Sequence, residues 1–493
     1  MKIGIGIGGI DVRQLAVYCG GRVIGDEPYI GGVARAVCTD SREATDAETV
    51  FAVTVGERVD GHTFMRKAYE GGCRLFLCQR IPEDMAGCSF CAIVVPDTIA
   101  ALGSIARCYT EALGAPAVAV TGSVGKTTTK EMIAAVLGER FSVHKTKANH
   151  NSTIGLPMSI LEADGTEDIS VVEMGMSGLG EIDFMSRIVA PRIGCITNIG
   201  SSHLELLGTR ENICRAKLEI ANGMPEDGLL FVNGDEPLLR TMLPVGVNVK
   251  FVSLAEETAD VYAFNIRYDE KGSLFDVTLS GAIYRDIRLS AIGKPFVWAA
   301  AFAIAVARSL AMDMAEIRRG LLSFENAAMR QNITTCGGIT MIEDCYNASP
   351  ESVKAAIDVM QTLAEPRGAR MVAILGDMRE LGETSDALHF SVGSYYAEKG
   401  GKCLITVGSI AENIAKGAIS RGISETAVFH SEAYEGDEAV AKIGDVACEV
   451  LCEGDILLVK ASRAIGAERI LSYIKQKLQA TKKDFGTRKE KDR

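Results

Sequence analysis

At 493 residues the chain is too long for a single hydrophobic core and implies about three domains. Its 64 acidic residues against 52 Lys and Arg give a net charge of -12, which excludes a pervasive basic field and with it nucleic acid as a general partner. Hydrophobic content of 47% with 24% charged residues describes an ordinary globular protein, and the longest apolar run, 297–307, ends at Arg308 and is too short to span a bilayer. The opening stretch is interrupted at Asp11, too early for a secretory signal, so the chain is expected to be cytoplasmic, without stable membrane insertion, and a monomer.

The first ~95 residues carry short β-like runs, among them Phe51–Val55 and Leu75–Cys78. Gly4-Ile-Gly-Ile-Gly-Gly9 matches G-x-G-x-x-G in letters but follows no predicted strand, so it reads as a flexible start rather than a cofactor loop. The pattern changes near Pro96-Asp97, where Asp97 is placed to cap a helix running to about Leu113. The next strand leads into Val118-Ala-Val-Thr-Gly-Ser-Val-Gly-Lys-Thr-Thr-Thr129. From there to about residue 328 strands and helices alternate. Ile169–Glu173 and Ile193–Asn198 are continuous apolar runs of the kind a parallel sheet buries on both faces, and helices are expected over Arg210–Asn222 and Lys294–Leu310. A third alternating section starts near Arg330, with strands at Met371–Leu375, Cys403–Val407 and Ile456–Val459. Residues 480–493 are mostly charged without apolar periodicity and read as a disordered, solvated tail rather than a basic interaction arm. The fourteen cysteines are scattered; Cys88 and Cys91 form a lone C-x-x-C with no partner pair, so they read as reduced, mostly buried small side chains.

Each residue type in 118–129 has a phosphate-related task. Gly122 and Gly125 let the backbone curl so that the N–H groups of Ser123, Val124 and their neighbours converge on an anion. Lys126 supplies a point charge for the terminal phosphates, and the Thr127 hydroxyl suits Mg²⁺. Thr127–Leu137, with Thr128 in its first turn, reads as a helix whose positive N-terminus points at the same phosphates. The general P-loop spacing asks for a glycine five residues before Gly125, yet position 120 is Val120. Glu173 ends a buried strand downstream, where P-loop proteins keep a carboxylate for Mg²⁺. His203 lies in a Gly/Ser loop after the next strand, at a strand end where sites of doubly wound sheets collect. Asn149-His-Asn-Ser-Thr-Ile-Gly-Leu-Pro157 is a loop, and Lys217 by itself sits on an ordinary solvated helix face. Asp344 and Asn347, closing a strand at 339–343, suit a ribose or base, and Arg330 suits phosphate.

With its first glycine moved two residues closer, Thr121-Gly-Ser-Val-Gly-Lys-Thr-Thr128 resembles the ATP loop of the Mur ligase family, enzymes that add amino acids to the peptide stem of the bacterial cell-wall precursor. Glu173-Met-Gly175, the Asn198-Ile … His203-Leu loop, and the loop at Asn149–Pro157 resemble family motifs in family order, from about residue 39 to about 463. Leu375-Gly-Asp-Met-Arg-Glu-Leu-Gly382 resembles the branch that adds D-alanyl-D-alanine, and the Asp-x-Pro-Arg motif of the third-residue adder is absent from this section.

The resemblance implies an α/β protein of three domains. These are a small N-terminal α/β UDP-sugar-binding domain (1–95), a central P-loop-type ATP-binding domain with a mostly parallel sheet (96–328), and a C-terminal Rossmann-like domain (329–493). It implies ATP and two Mg²⁺ ions held by Thr127, Glu173, His203 and Lys217, the last carbamylated by CO₂ into an anionic oxygen ligand. Lys126, His203 and Lys217 would be catalytic; Arg330 and Asn347 would meet ATP. Ser41 and Arg42 would hold the UDP moiety, Asn151, Ser152 and Thr153 would face substrate, and Asp377 would meet the dipeptide. The implied substrates are UDP-N-acetylmuramoyl-tripeptide and D-alanyl-D-alanine, joined through an acyl phosphate. The rival readings are another ligase of the family, such as the folate polyglutamate enzyme or the third-residue adder, and a P-loop ATPase switch without ligase chemistry.

Overall fold

The computed structural model describes residues 1–56, 59–244, 246–269 and 271–491, and side chains as far as residue 480. Among the described residues three large β-sheets follow one another along the chain, of six, nine and six strands, with a two-stranded ribbon, Ile10–Asp11 against Val33–Ala34, beside the first. The first has parallel inner strands Ala36–Cys38, Thr49–Ala52, Leu75–Cys78 and Cys91–Val94, with Lys2–Gly4 and Arg22–Gly25 antiparallel at its edges. Leu75–Cys78 and Thr49–Ala52 are buried along their whole length, as strands covered on both faces must be. The glycine-rich start is therefore not flexible. Lys2–Gly4 pairs with Ala36–Cys38, and the Gly6 N–H donates to the Leu161 carbonyl at 2.8 Å, satisfying backbone groups that the isolated sequence left open.

The nine-stranded sheet positions the site. Its order is Val143–Lys145, Ile169–Glu173, Ala117–Thr121, Ile193–Ile196, Leu229–Asn233, Asn248–Ser253, Val261–Asp269, Gly272–Leu279, Ala282–Leu289. The first seven are parallel and the last two add an antiparallel meander. Strand–helix alternation thus stops near residue 261, where tight turns at Gly272 and Gly281 replace crossover helices. From Ala117–Thr121 the chain runs first to strands on one side, then crosses to Ile193–Ile196 on the other. This reversal of winding opens a crevice at the C-terminal ends of the three strands, and ligands of open α/β sheets bind at such a point.

Alternate residues of these strands feed two different cores. Val118 and Val120 pack with the helices Lys126–Leu137 and Lys294–Ser309, whereas Ala117 and Ala119 face the helices Thr98–Leu113 and Glu181–Val189. The Asp97 carboxylate caps Thr98–Leu113 by accepting from the Ile99 and Ala100 N–H groups at 2.7 and 3.0 Å. That helix shares one core with Val12, Leu15 and Ala16 of the first sheet's helix Val12–Cys19, so the first two sheets are joined by packed apolar surface.

The last sheet runs Asn332–Cys336, Ile339–Glu343, Ile456–Lys460, Met371–Gly376, Cys403–Val407, Val428–Ser431, with one antiparallel pair and the rest parallel. The expected helix at 210–222 is an α-helix over Arg210–Leu218 that tightens into a 3₁₀ turn at Glu219–Gly223. At the far end the helix Ala467–Lys491 runs through most of the segment expected to be disordered, in keeping with the high helix propensity of its Lys and Glu; residues 492–493 lie outside the described residues.

Candidate active site

The phosphate loop is held in shape before any ligand arrives. Gly122 has φ +147°, and a Cβ there would lie 1.9 Å from Thr197 Oγ1. Gly125, at φ +85°, caps the helix Lys126–Leu137 in a conformation that other residues adopt at a cost. The next strand's end secures the loop: the Val124 N–H donates to Asn198 Oδ1 at 2.8 Å, Thr197 Oγ1 donates to the Val124 carbonyl at 2.6 Å, and the Gly200 N–H donates to Ser123 Oγ at 2.9 Å. Lys126 is folded back over the loop rather than extended to solvent, its Nζ donating to the Gly122 carbonyl at 2.8 Å and reaching the Ser123 carbonyl at 3.4 Å. Loss of water around the ammonium lowers its pKa below the ordinary lysine value, with the Glu173 charge opposing.

Glu173 is buried where the parallel register sets it beside Val120, one strand from the loop. Its Oε2 accepts from Thr127 Oγ1 and its Oε1 from Asn151 Nδ2, both at 2.7 Å, while its N–H donates to Thr146 Oγ1 at 3.0 Å. Loop, strand end and Asn151 thus converge on one carboxylate. His203, with φ +65°, precedes the short helix Leu204–Leu207; its Nδ1 lies 2.6 Å from Glu380 Oε2 of the last sheet, and that contact lowers the Glu380 pKa. Lys217 is not on a solvated helix face. It is 2% exposed, and burial, with Lys126 nearby, pushes its pKa well down. Its amino group makes no hydrogen bond or ion pair among the described residues.

The far wall comes from the last sheet. Arg330 stacks on the Tyr346 ring with its guanidinium carbon 4.1 Å from the centroid, between Met329 and Gln331, which both have left-handed backbone. Lys460 ends a strand in the interior, its Nζ 2.6 Å from Asp344 Oδ2 and 2.9 Å from the Asn347 carbonyl. Asp344, expected to meet a ribose or base, therefore has its carboxylate taken up by this buried lysine.

Ser123 to Thr128, Asn151, Ser152, Glu173, His203, Lys217, Arg330 and Asn347 line one cavity of about 330 Å³. Gly122 stands just behind its wall, and Thr153 is not among the lining residues. Ser41 and Arg42 are elsewhere, after the strand Ala36–Cys38, where the exposed Arg42 binds its own neighbour Asp40. Asp377, expected to meet the dipeptide, is fully buried within the last sheet's own fold. Its Oδ1 accepts from the Ile410 and Ala411 N–H groups at 3.0 and 2.8 Å, so this oxygen braces a neighbouring loop of the same domain. Sequence reasoning missed Lys460, Tyr346 and Glu380. A lysine closing four apolar strand residues was the available signal for the first, and Glu380 lies within the Leu375–Gly382 motif quoted above; Tyr346 had none.

A phosphate loop at the switch point of a parallel sheet, walled by a second α/β sheet carrying an arginine and a lysine, defines a nucleotide-binding enzyme that works between two domains. Comparison with known proteins identifies the class. The Mur ligase middle domain matches residues 120–307, and the Mur ligase glutamate ligase domain matches 329–463. The UDP-N-acetylmuramoyl-tripeptide–D-alanyl-D-alanine ligase of Bacillus subtilis is 37% identical over 466 residues, covering 93% of this chain and 97% of that protein. Among solved structures, MurF from Acinetobacter baumannii superposes with a TM-score of 0.84 at 27% identity, over 96% of this chain and 100% of that one. MurF ligase from Thermotoga maritima in complex with ADP gives a TM-score of 0.78 at 28% identity, over 90% and 98%. The chain belongs to the Mur ligase family, whose members are ATP-dependent ligases. No helix among the described residues is long and apolar enough to cross a membrane.

Proposed function

We propose that this protein joins D-alanyl-D-alanine to UDP-N-acetylmuramoyl-tripeptide, with ATP as the energy source, in cell-wall precursor synthesis. The observation that carries the reading is the near full-length match to a Bacillus subtilis ligase bearing that name, joined to a cavity that brings Lys126, Glu173, His203 and Lys217 together. A carboxylate does not accept an amine directly, so it must first be activated. The γ-phosphoryl of ATP passes to the terminal carboxylate of the tripeptide, giving an acyl phosphate and ADP. The dipeptide amine attacks that carbonyl, and the tetrahedral intermediate collapses to the amide with release of phosphate and a proton. Lys126 and the loop N–H groups stabilise charge on the transferring phosphoryl, Arg330 meets phosphate from the other wall, and Asn347 sits at the nucleotide. Seating of the last sheet over the cavity keeps water from the acyl phosphate.

Thr127 and Glu173 fit a Mg²⁺ ion, since their oxygens already lie 2.7 Å apart and hard cations take oxygen ligands. Bound there, the ion would neutralise phosphate charge. His203 and Lys217 would hold a second ion, and here an ammonium does not fit. Lys217 is buried with its pKa pushed down, which favours the uncharged amine; that amine would add CO₂, forming an N–C bond and releasing one proton to leave an anionic carbamate. Lys217→Ala is expected to be nearly inactive and partly restored by short carboxylic acids; carbon-13 NMR with labelled bicarbonate reads the carbamate directly.

We assign the UDP moiety to residues 1–95 through Ser41 and Arg42, ATP to 96–328, and the dipeptide to 329–493, with Asn151, Ser152 and Thr153 facing the tripeptide; the enzyme would act as a cytoplasmic monomer. Phosphate release tests the reading. It should require both the UDP-tripeptide and D-alanyl-D-alanine, whereas steady release with ATP alone would make the chain an ATPase switch.

A further inference from the structure

The segment Gly376–Gly382 turns Asp377 into its own domain, which leaves unexplained what its outer side does. Glu380 is the residue it presents to the central sheet. The contact is built from several independent pieces. Glu380 Oε2 lies 2.6 Å from His203 Nδ1, and the Glu380 carbonyl accepts from the Glu205 N–H at 3.2 Å. A Cβ at Gly382 would come within 3.2 Å of Glu205 Cα, so backbone meets backbone at this point. A second carboxylate of the last sheet's domain, Glu351, accepts from Ser201 Oγ at 2.7 Å on the same loop. Both His203 and Glu380 hold left-handed backbone, at φ +65° and +66°, a cost that non-glycine residues bear where surrounding structure imposes it, and such strain clusters at functional sites. His203 Nδ1 is buried, and the Glu380 carboxylate, 2.6 Å away, is the charged group set against it.

We propose that Glu380 is a positioning residue for His203: seated against the loop Ser201–Glu205, its carboxylate fixes the imidazole so that the other ring nitrogen faces the cavity, and the His203 corner is complete only when the last sheet is docked. The inference rests on the reading that His203 works in this cavity. A carboxylate behind a working histidine holds ring orientation, and removing such a partner typically costs about 10- to 100-fold in activity or metal affinity.

A double-mutant cycle of Glu380→Gln and His203→Ala tests it, read by kcat and KM for ligation and separately by the Mg²⁺ concentration that half-saturates ADP binding in calorimetry. Glu380→Gln should lower kcat about 10-fold or more with KM for the UDP-tripeptide little changed, and should raise the Mg²⁺ requirement for ADP binding. Added to His203→Ala, it should cause no further loss in either measurement. Glu383→Gln, in the same turn but outside these contacts, should behave as wild type. Losses that multiply in the double mutant would overturn the proposal, as would wild-type values for Glu380→Gln or for His203→Ala alone. If Glu380→Gln does not fold, Glu380→Asp, one methylene short of the ring, takes its place with the same pattern expected. Should wild-type protein form no amide, the ligase reading fails, and the ADP-binding cycle still decides whether the two residues act as a pair.

Discussion

The phosphate loop, Gly122–Gly125, and the turn Gly376–Gly382 begin alike, each at the C-terminal end of a fully buried parallel strand, yet they face opposite ways. Around the first, Asn198 takes up the Ser123 and Val124 N–H groups and Thr197 the Val124 carbonyl, so that the loop is fixed with Lys126 lining a cavity. Around the second, the polar groups turn inward. Asp377 accepts from Ile410 and Ala411, its carbonyl accepts from the Ser462 N–H, and buried His389 Nε2 accepts from the Met378 N–H at 2.9 Å. A strand-end loop rich in glycine and acid is therefore not a site by composition. What decides is whether the loop's charged side chain is turned into its own domain, as Asp377 is, or left lining a crevice, as Lys126 is.

Four perturbations sharpen that contrast. The largest expected effect is on folding, at Lys460. Removing its ammonium by Lys460→Ala leaves Asp344 buried without its partner and should cost about 3–5 kcal/mol, read as a fall in the denaturant midpoint. Lys126→Ala should spare stability and cut kcat by about 10²–10³-fold, since it removes one preorganised donor from the transferring phosphoryl; near-normal turnover in the folded variant would undo the loop assignment. Asp377→Ala should do the reverse, losing about 1–3 kcal/mol of stability while shifting the three substrate KM values by similar factors. A selective rise in KM for D-alanyl-D-alanine would return Asp377 to the substrate site.

The smallest effect concerns pH and Lys217. Its pKa is depressed in the folded state, so between that value and the unfolded value of about 10.4 the unfolded chain binds one more proton. Stability should therefore climb as pH rises through this window, and the penalty is complete below it. Lys217→Met, which has nothing to protonate, should flatten this rise in melting temperature between pH 7 and the unfolded value of about 10.4. An unchanged slope would show that Lys217 is not buried in solution.

Much of this architecture was legible in the residues themselves. Continuous apolar runs such as Ile169–Glu173 appear as the strands expected, and Asp97 caps the helix it was placed to cap, because both signals are local. The antiparallel meander from Val261 to Leu289 was not legible, since alternating helix and meander segments share short apolar runs and differ in what they pair with. Lys217 shows the limit most clearly. On its helix it has the spacing of a solvated residue, and only the packing of that helix into the central core buries it. Glu380 likewise acquires its partner from a loop 177 positions earlier in the numbering, His203, which no local pattern encodes.

The account stands on activation of a carboxylate by phosphoryl transfer, and oxygen-18 in the terminal carboxylate of the UDP-tripeptide follows that step directly. Ligation in ordinary water should deliver one labelled oxygen to each phosphate released, because the bond that forms to phosphorus carries a carboxylate oxygen and the amine later expels it. Unlabelled phosphate, with oxygen drawn from water instead, would mean that the cavity hydrolyses ATP and that no acyl phosphate is made.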